Sequence, residues 1–204
     1  MDPPYRVETE RLVVRCWDPR DAPLLKEAVD SSLDHLRPWM PWAEHEPQPL
    51  AEKVQLLRRF RGQFDVGQDF VYGIFPADGS EVIGGSGLHT RVGSAAFEIG
   101  YWVRASRIGL GFATEASAAR TRVAFEVCRV DRVEIRVDAR NVRSLAVPRR
   151  LGFTEEATLR RRLPAGDAEM RDAVVFSLFA ADFPASPAAG ASLAAHDAAG
   201  ARVL

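Results

Sequence analysis

Three short apolar runs between residues 69 and 103 constrain the fold of this chain more than any other feature of its sequence. They read DFVYGIF, EVIGGSGL and AAFEIGYWV, and stretches containing Asp, Gly and Ser separate them. Short apolar runs broken by such turn residues are typical of strands joined by tight connections. We therefore predict an antiparallel meander of three strands in this part of the chain.

Segments on both sides of the meander have the patterns of further strands and helices. RLVVRCW is short and β-branched, as strands are, and Asp18 followed by Pro19 predicts the start of a helix that runs to about Ser32. PLAEKVQLLRRFRGQF and ATEASAARTRVAFEVCR carry apolar residues at helical spacing, whereas RVEIRVD alternates strictly. A short helix at about 144–151 and two strands, FTEEATLRRRLP and RDAVVFSLFA, follow. The order β-α-α-β-β-β-α-β-α-β-β predicts an α/β fold with a mixed sheet.

The length and composition set the expected domain organisation. A chain of 204 residues, 47% of them hydrophobic, is sufficient for one domain with a substantial core, to which we assign residues 1–184. From residue 185 the chain reads ASPAAGASLAAHDAAGARVL, with almost no large apolar side chains to offset the entropy of ordering. We therefore predict a mobile tail over residues 185–204.

The charge and cysteine content exclude several classes of protein. A formal net charge of -1 argues against a DNA-binding or membrane-binding protein, and the isolated cysteines Cys16 and Cys128 do not have the spacing of metal ligands. The first residues lack the apolar core of a signal peptide, and no apolar run approaches a membrane span. We expect a soluble cytoplasmic protein without a metal; its oligomeric state stays open, with a homodimer as one alternative.

A glycine turn, RIGLGFATEA, lies between the meander and the next helix. A P-loop is excluded because Phe112 and Ala113 follow the last glycine where Lys and Ser or Thr are needed. A dinucleotide fingerprint lacks its third glycine here, and the preceding strand belongs to a meander rather than to a βαβ unit. A pyrophosphate held by backbone amides at the helix N-terminus fits better. The alternative is a turn that only joins a strand to a helix.

Four blocks of the sequence strongly resemble the GNAT acetyltransferases, and within them the RimJ/RimL type, which acetylates protein N-terminal amines. They are VETERLVVRCWDPRDA, LDHLRPWMPWAE, FEIGYWVRASRIGLGFATEA and VEIRVDARNVRSLAVPRRLGF, and the likeness covers about residues 7–183. The resemblance implies the GNAT fold, with a mixed and mostly antiparallel central sheet flanked by helices. It also implies an N-acetyltransferase that uses acetyl-coenzyme A.

The resemblance places the cofactor on the glycine turn and beside the strand that precedes it. The pyrophosphate is expected on the turn and the pantetheine along the strand, as an added strand would lie. Ile108 departs from the family, which usually has Gln or Arg there, so we expect weaker affinity unless Arg107 replaces that side chain. The implied cofactor-binding residues are Trp102, Val103, Arg107, Ile108, Gly109, Leu110, Gly111, Phe112, Ala113, Thr114, Asn141 and Ser144.

Three residues are candidates for proton transfer. Glu98 is the first candidate base, acting through a water or after burial; the alternative is that it orders a buried network or pairs with an arginine. His89 is the second, although a histidine at a strand end is more often a solvated loop residue. Many family members place a tyrosine acid where this chain has Pro148, which excludes that acid here. Ser144 matches the serine of the RimJ/RimL pattern, so the resemblance makes it the candidate to protonate or hydrogen-bond the thiolate, with a helix cap as its alternative role.

Pro148 also affects the backbone of the short helix. Proline has no N–H, so the carbonyl of Ser144, four residues earlier, loses its helical partner. We predict that a water, a ligand or a side chain takes this carbonyl.

The acceptor site is the least determined part of the sequence. Trp39, Met40 and Trp42 lie between prolines and are expected, with Glu98, to form its wall, although both indoles have an alternative role in packing helices onto the sheet. Glu44, His45 and Glu46 are candidates to pair with an ammonium group. We expect the acceptor to be a peptide N-terminal amine; the alternatives are a small-molecule amine and a non-catalytic module that binds acyl-coenzyme A.

Overall fold

The computed structural model describes residues 2–165 and 169–204. Its strands are β1 (Arg6–Glu8), β2 (Leu12–Cys16), β3 (Phe70–Pro76), β4 (Gly84–His89), β5 (Ala96–Val103), β6 (Arg132–Asp138), β7 (Thr154–Ala165), β8 (Glu169–Phe179) and β9 (Ala194–His196). Its helices are α1 (Ala22–Asp30), α2 (Leu33–Leu36), α3 (Leu50–Asp65), α4 (Phe112–Glu126) and α5 (Val142–Arg150). In the described part of the chain, none of them has the length and apolar character that crossing a bilayer requires.

The described strands form one sheet in the order β7-β8-β6-β5-β4-β3-β2-β1-β9. Strands β3, β4 and β5 are neighbours in antiparallel pairs, which confirms the predicted meander. Among the described strands, β5 and β6 make the one parallel pair. The mixed, mostly antiparallel sheet of the predicted α/β fold is therefore confirmed, and the short elements β1, α2 and β9 are additions to the predicted order.

The parallel pair of β5 and β6 is short and leaves a gap in the middle of the sheet. It extends from the pairing of Ala96 with Arg132 to that of Glu98 with Glu134. Beyond that point β5 continues to Val103 alongside β4, and β6 continues to Asp138 alongside β8. Among the described strands, none pairs with the facing edges of β5 and β6 over the rest of their length.

Local interactions fix the start of the first helical segment where the sequence predicts it. The Asp18 carboxylate accepts a hydrogen bond from the Arg20 amide at 2.8 Å, and the Asp18 amide donates to Asp21 Oδ2 at 2.9 Å. This reciprocal capping box, with Pro19 at the first position, begins a turn of 3₁₀ helix that leads directly into α1.

Helices cover both faces of the sheet. On one face, α4 and α5 pack on the larger apolar cluster, which includes Ile99, Ala119 and Val133. On the other face, α1 and α3 pack on a second cluster that contains Trp17 and Leu57. Packed helices therefore cover both faces of the sheet that contains the gap between β5 and β6.

The segment predicted as a mobile tail is packed against the domain in the structure. Strand β9 pairs antiparallel with β1, and Ala188 and Ala195 are fully buried. Arg122 also donates a hydrogen bond to the Ala191 carbonyl at 2.7 Å. The prediction counted large apolar side chains, but small residues allow close backbone approach, and the ladder with β1 supplies hydrogen bonds that composition does not reveal. This corrects the prediction for residues 185–204.

Candidate active site

Two cavities, of about 360 and 340 Å³, lie at the gap between β5 and β6. The first extends from the end of β5 to the glycine turn and α5, and the second extends along β5 and β6 towards β7 and β8. Five residues line both cavities: Trp39, Met40, Tyr101, Asn141 and Ser144. The two cavities therefore adjoin at these five residues, which we call the junction.

The glycine turn has the properties of an anion site. Gly109 and Gly111 have φ values of +77° and +85°, in the left-handed region that favours glycine, and open space surrounds the position of a Cβ on Gly109. The seven amide N–H groups of residues 108–114 have no acceptor among the described residues. Helix α4 begins at Phe112, so its positive dipole end faces the same place. A pyrophosphate fits this cradle.

Most of the residues implied to bind the cofactor line the first cavity. Leu110 does not line it; its side chain is exposed and its carbonyl accepts a hydrogen bond from Arg11 at 3.0 Å. Arg107 lines the cavity, but its guanidinium donates to Glu81 Oε1 from Nε at 2.9 Å and from Nη2 at 2.6 Å. The Arg107 guanidinium is thus paired with Glu81 at the rim of the cavity, and its role in place of the side chain that the family usually has at position 108 stays a prediction. The other ten are Trp102, Val103, Ile108, Gly109, Gly111, Phe112, Ala113, Thr114, Asn141 and Ser144.

The carbonyl of Ser144 confirms the prediction made from Pro148. It accepts a hydrogen bond from the Tyr101 hydroxyl at 3.1 Å, and the same hydroxyl lies 2.9 Å from Ser144 Oγ. Asn141 Oδ1 accepts from the Ser144 amide at 3.1 Å, so Asn141, and not Ser144, caps α5. Burial raises the pKa of Tyr101 to about 12, which keeps its hydroxyl protonated and able to donate.

Glu98 lies in the wall of the second cavity, and its side chain is buried. Both of its oxygens contact the Arg91 guanidinium, and Arg136 Nε lies 3.7 Å from its Oε2. Arg136 also donates to Glu134 at 2.9 Å, so one guanidinium bridges two buried carboxylates. The structure thus shows Glu98 paired with arginines, which was the alternative to its role as a base. Its role as a base stays a prediction.

His89 does not line either cavity. It is paired with Glu98 across β4 and β5, and its Nδ1 lies 2.9 Å from Asp69 Oδ1. Its Nε2 lies close to Gly100, 3.1 Å from where a Cβ on that residue would be. The ring is therefore held beside the wall of the second cavity, and its role as a base stays a prediction.

The structure places only two of the three residues predicted to form the aromatic wall of the acceptor site beside the cavities. Trp39 and Met40 are junction residues, whereas Trp42 lines neither cavity and packs edge-on against Trp102 with ring centroids 5.9 Å apart. Glu46 is buried in an ion pair with Lys53, so it is not available to an ammonium group. Glu44 and His45 are exposed outside both cavities.

Sequence reasoning missed two side chains that shape the site, Tyr101 and Arg171. Arg171 donates to the Pro38 carbonyl and to Asp138 Oδ2 at 3.1 Å, and its guanidinium carbon lies 6.0 Å from the centroid of the Trp39 ring. It thereby ties the loop before Trp39 to β8. Because Pro148 has no N–H, the sequence indicated that the Ser144 carbonyl needs another hydrogen-bond donor, although it did not indicate that Tyr101 is that donor. Nothing in the sequence indicated the contacts of Arg171.

Comparison with known proteins agrees with this geometry. The family model described as the acetyltransferase (GNAT) domain matches residues 11–154. A Bacillus subtilis (strain 168) protein, YdaF, provisionally named a ribosomal N-acetyltransferase, is 31% identical over 171 residues, 83% of this chain and 91% of its own. The ribosomal protein uS5-alanine N-acetyltransferase of Escherichia coli (strain K12) is 28% identical over 186 residues, 89% of this chain and 94% of its own.

A solved structure extends the similarity to three dimensions. Mycobacterium smegmatis RimJ in complex with CoA-disulfide has a TM-score of 0.81 and 29% identity, covering 92% of this chain and 94% of its own. The expected resemblance to the RimJ/RimL type, the fold, the enzyme class and the use of acetyl-coenzyme A are thereby confirmed. The chain belongs to the GNAT family of acetyltransferases, which use acetyl-coenzyme A as the acetyl donor.

Proposed function

We propose that this acetyltransferase acts on the N-terminal α-amine of a protein, with ribosomal proteins as the leading class of acceptor. The observation that carries the proposal is the junction, where a cavity with an anion cradle meets a second cavity of similar size lined by Glu98. The relatives named as ribosomal N-acetyltransferases, which this chain resembles over most of its length, support the choice of acceptor.

In this proposal the first cavity binds acetyl-coenzyme A. The amides of residues 108–114 and the N-terminus of α4 hold the pyrophosphate. The unpaired edge of β5 beyond Glu98 accepts the pantetheine as a further strand, and Asn141 lines the same path. When bound there, acetyl-coenzyme A supplies an activated thioester at the junction residues.

The second cavity holds the amine. An α-amine has a pKa of about 8, compared with about 10.4 for the lysine amine, so a weak base is sufficient to deprotonate the α-amine at neutral pH. Glu98 accepts this proton through a water molecule, while Arg91 and Arg136 fix the position of its carboxylate. Ser144 Oγ, at the junction, donates a proton to the departing sulfur.

The test compares acceptors and then removes the base. Purified protein is incubated with acetyl-coenzyme A and either N-terminal peptides of ribosomal proteins or small amines, and thiol release is measured. We expect turnover with peptides. Activity confined to small amines would reverse the choice of acceptor, and binding of coenzyme A without thiol release from any amine would indicate a non-catalytic module.

Glu98→Gln is expected to lower kcat about a hundredfold, in the range typical of general base catalysis, with the KM for acetyl-coenzyme A changed less than about twofold. Glu52→Gln is the matched control, because Glu52 is an exposed residue of α3 outside both cavities. If Glu98→Gln retained full kcat and the wild-type pH profile, Glu98 would not be the base.

A further inference from the structure

Tyr101 occupies an unusual position for a strand residue of the sheet. Its hydroxyl leaves β5 and reaches the first turn of α5, where it contacts both oxygens of Ser144. It lines both cavities, as Ser144 does, so the contact lies where the reacting groups meet. The two residues are 43 positions apart in the chain, so only the packing of α5 against the end of β5 creates it.

Pro148 leaves the Ser144 carbonyl free to accept a hydrogen bond from Tyr101. In a regular helix the amide of residue 148 would donate to the carbonyl of Ser144, and proline has no such hydrogen. The Tyr101 hydroxyl is the donor that this carbonyl receives instead, at 3.1 Å. A half-buried carbonyl without a donor costs free energy, so the contact is favoured whenever α5 is folded.

The carbonyl determines the direction of the hydrogen bonds around Ser144. A carbonyl oxygen only accepts, so Tyr101 donates its single hydroxyl hydrogen to the Ser144 carbonyl, and in the 2.9 Å contact the Ser144 hydroxyl donates to the Tyr101 oxygen. The raised pKa of Tyr101 keeps that hydrogen in place at neutral pH. The hydrogen bond from its own hydroxyl to Tyr101 therefore fixes the position of Ser144 Oγ at the junction.

We propose that Tyr101 is the positioning residue for Ser144: its hydroxyl, held by the carbonyl that Pro148 leaves bare, accepts a hydrogen bond from the Ser144 hydroxyl and so holds Ser144 Oγ beside the sulfur that departs during acetyl transfer. As the C–S bond breaks, the electron pair of that bond stays on sulfur, and the Ser144 hydroxyl turns its hydrogen from Tyr101 to the sulfur and gives it up. Ser144 Oγ takes a proton back from water, and the hydroxide that this leaves is neutralised by the proton that Glu98 received from the amine, so that no proton is gained or lost overall. This inference rests on the proposed role of Ser144.

A double-mutant cycle tests the inference with whichever amine the wild-type protein acetylates. Tyr101→Phe is expected to lower kcat about tenfold, with the KM for acetyl-coenzyme A changed less than about twofold. Ser144→Ala is expected to lower kcat about a hundredfold. The double variant should be no slower than Ser144→Ala, because Tyr101 acts through the Ser144 hydroxyl.

The control is Tyr72→Phe, which also removes a buried hydroxyl, one that donates to the Pro4 carbonyl at 3.0 Å outside both cavities. It is expected to keep wild-type kcat. The inference is overturned if Tyr101→Phe retains full kcat, if it costs a further tenfold in the Ser144→Ala background, or if Tyr72→Phe lowers kcat equally. Activity on small amines alone would overturn only the choice of acceptor, because the cycle gives the same comparison with that amine.

Discussion

Gly109→Ala tests whether the amide cradle binds the cofactor, and Gly200→Ala is its matched control. The two glycines have nearly equal φ values, +77° and +81°, and open space surrounds the position of a Cβ on either one. Gly109 lines the first cavity, whereas Gly200 lies in a turn after β9. The two substitutions therefore impose the same backbone strain, and only one of them adds a methyl group to the cradle.

The expected magnitudes follow from these positions. An alanine in the left-handed region costs roughly 1–2 kcal/mol, so both variants should melt about 2–8 °C below the wild type, given about 2–4 °C per kcal/mol for a chain of this size. At Gly109 the methyl group also obstructs the amides of residues 108–114. Loss of one hydrogen bond to a charged phosphate costs about 1.5–3 kcal/mol, which weakens coenzyme A binding about tenfold to a hundredfold.

Two measurements check this prediction. Circular dichroism gives the melting temperatures, and titration calorimetry gives the dissociation constant of coenzyme A for the wild type and both variants. The KM for acetyl-coenzyme A should rise with the dissociation constant in Gly109→Ala alone. Equal dissociation constants in all three proteins, or equal weakening in both variants, would refute the cradle as the pyrophosphate site.

Three further predictions concern stability. Lys53→Met leaves the buried Glu46 carboxylate without its cation and should cost about 3–5 kcal/mol, measured by urea unfolding. Arg120→Met should raise the unfolding free energy by about 1 kcal/mol or more, because the fully buried guanidinium has no hydrogen-bond acceptor among the described residues. The hydrogen bond from Arg20 lowers the pKa of Asp18 to about 2. The ionised carboxylate therefore contributes its full stabilisation of the folded state above about pH 4, and this stabilisation is lost as the pH falls through about 2. The difference in unfolding free energy between wild type and Asp18→Asn should shrink over that range.

Each of these predictions has an outcome that contradicts it. An unchanged urea midpoint for Lys53→Met would mean that the Glu46 carboxylate finds another partner or water. A loss of stability in Arg120→Met would show that the stacking of the guanidinium 4.0 Å above the Tyr72 ring outweighs its desolvation. A stability difference for Asp18→Asn that stays constant between pH 5 and pH 2 would remove the link to its carboxylate.

Features that depend on neighbours in the sequence were predictable. The capping box at Asp18 involves residues three apart, and the glycine turn needs only positive φ values followed by a helix. The bare carbonyl of Ser144 follows from the missing amide hydrogen of Pro148, four residues away. In each case backbone geometry within about one helical turn is decisive, and it is encoded by the residues themselves.

Features that depend on strand pairing or distant packing were not predictable in this way. The order of residues 185–204 comes from the ladder between β1 and β9, and these short strands have too little side-chain pattern to identify. Arg171 and Pro38 are 133 positions apart, and Glu98 finds Arg136 only because β5 and β6 lie side by side. Such contacts require the register of the finished sheet.

The sequence by itself indicated the order of the longer elements, the meander and the glycine turn, and its resemblance to a known family indicated the acetyl donor. Tertiary structure alone decided that two cavities adjoin near the end of β5, that Arg107 pairs with Glu81 and that the Tyr101 hydroxyl donates to the Ser144 carbonyl. The physical reason is that a helix start or a turn is stabilised within a few residues. A hydrogen bond or an ion pair between side chains forms only when packing brings donor and acceptor within about 3 Å.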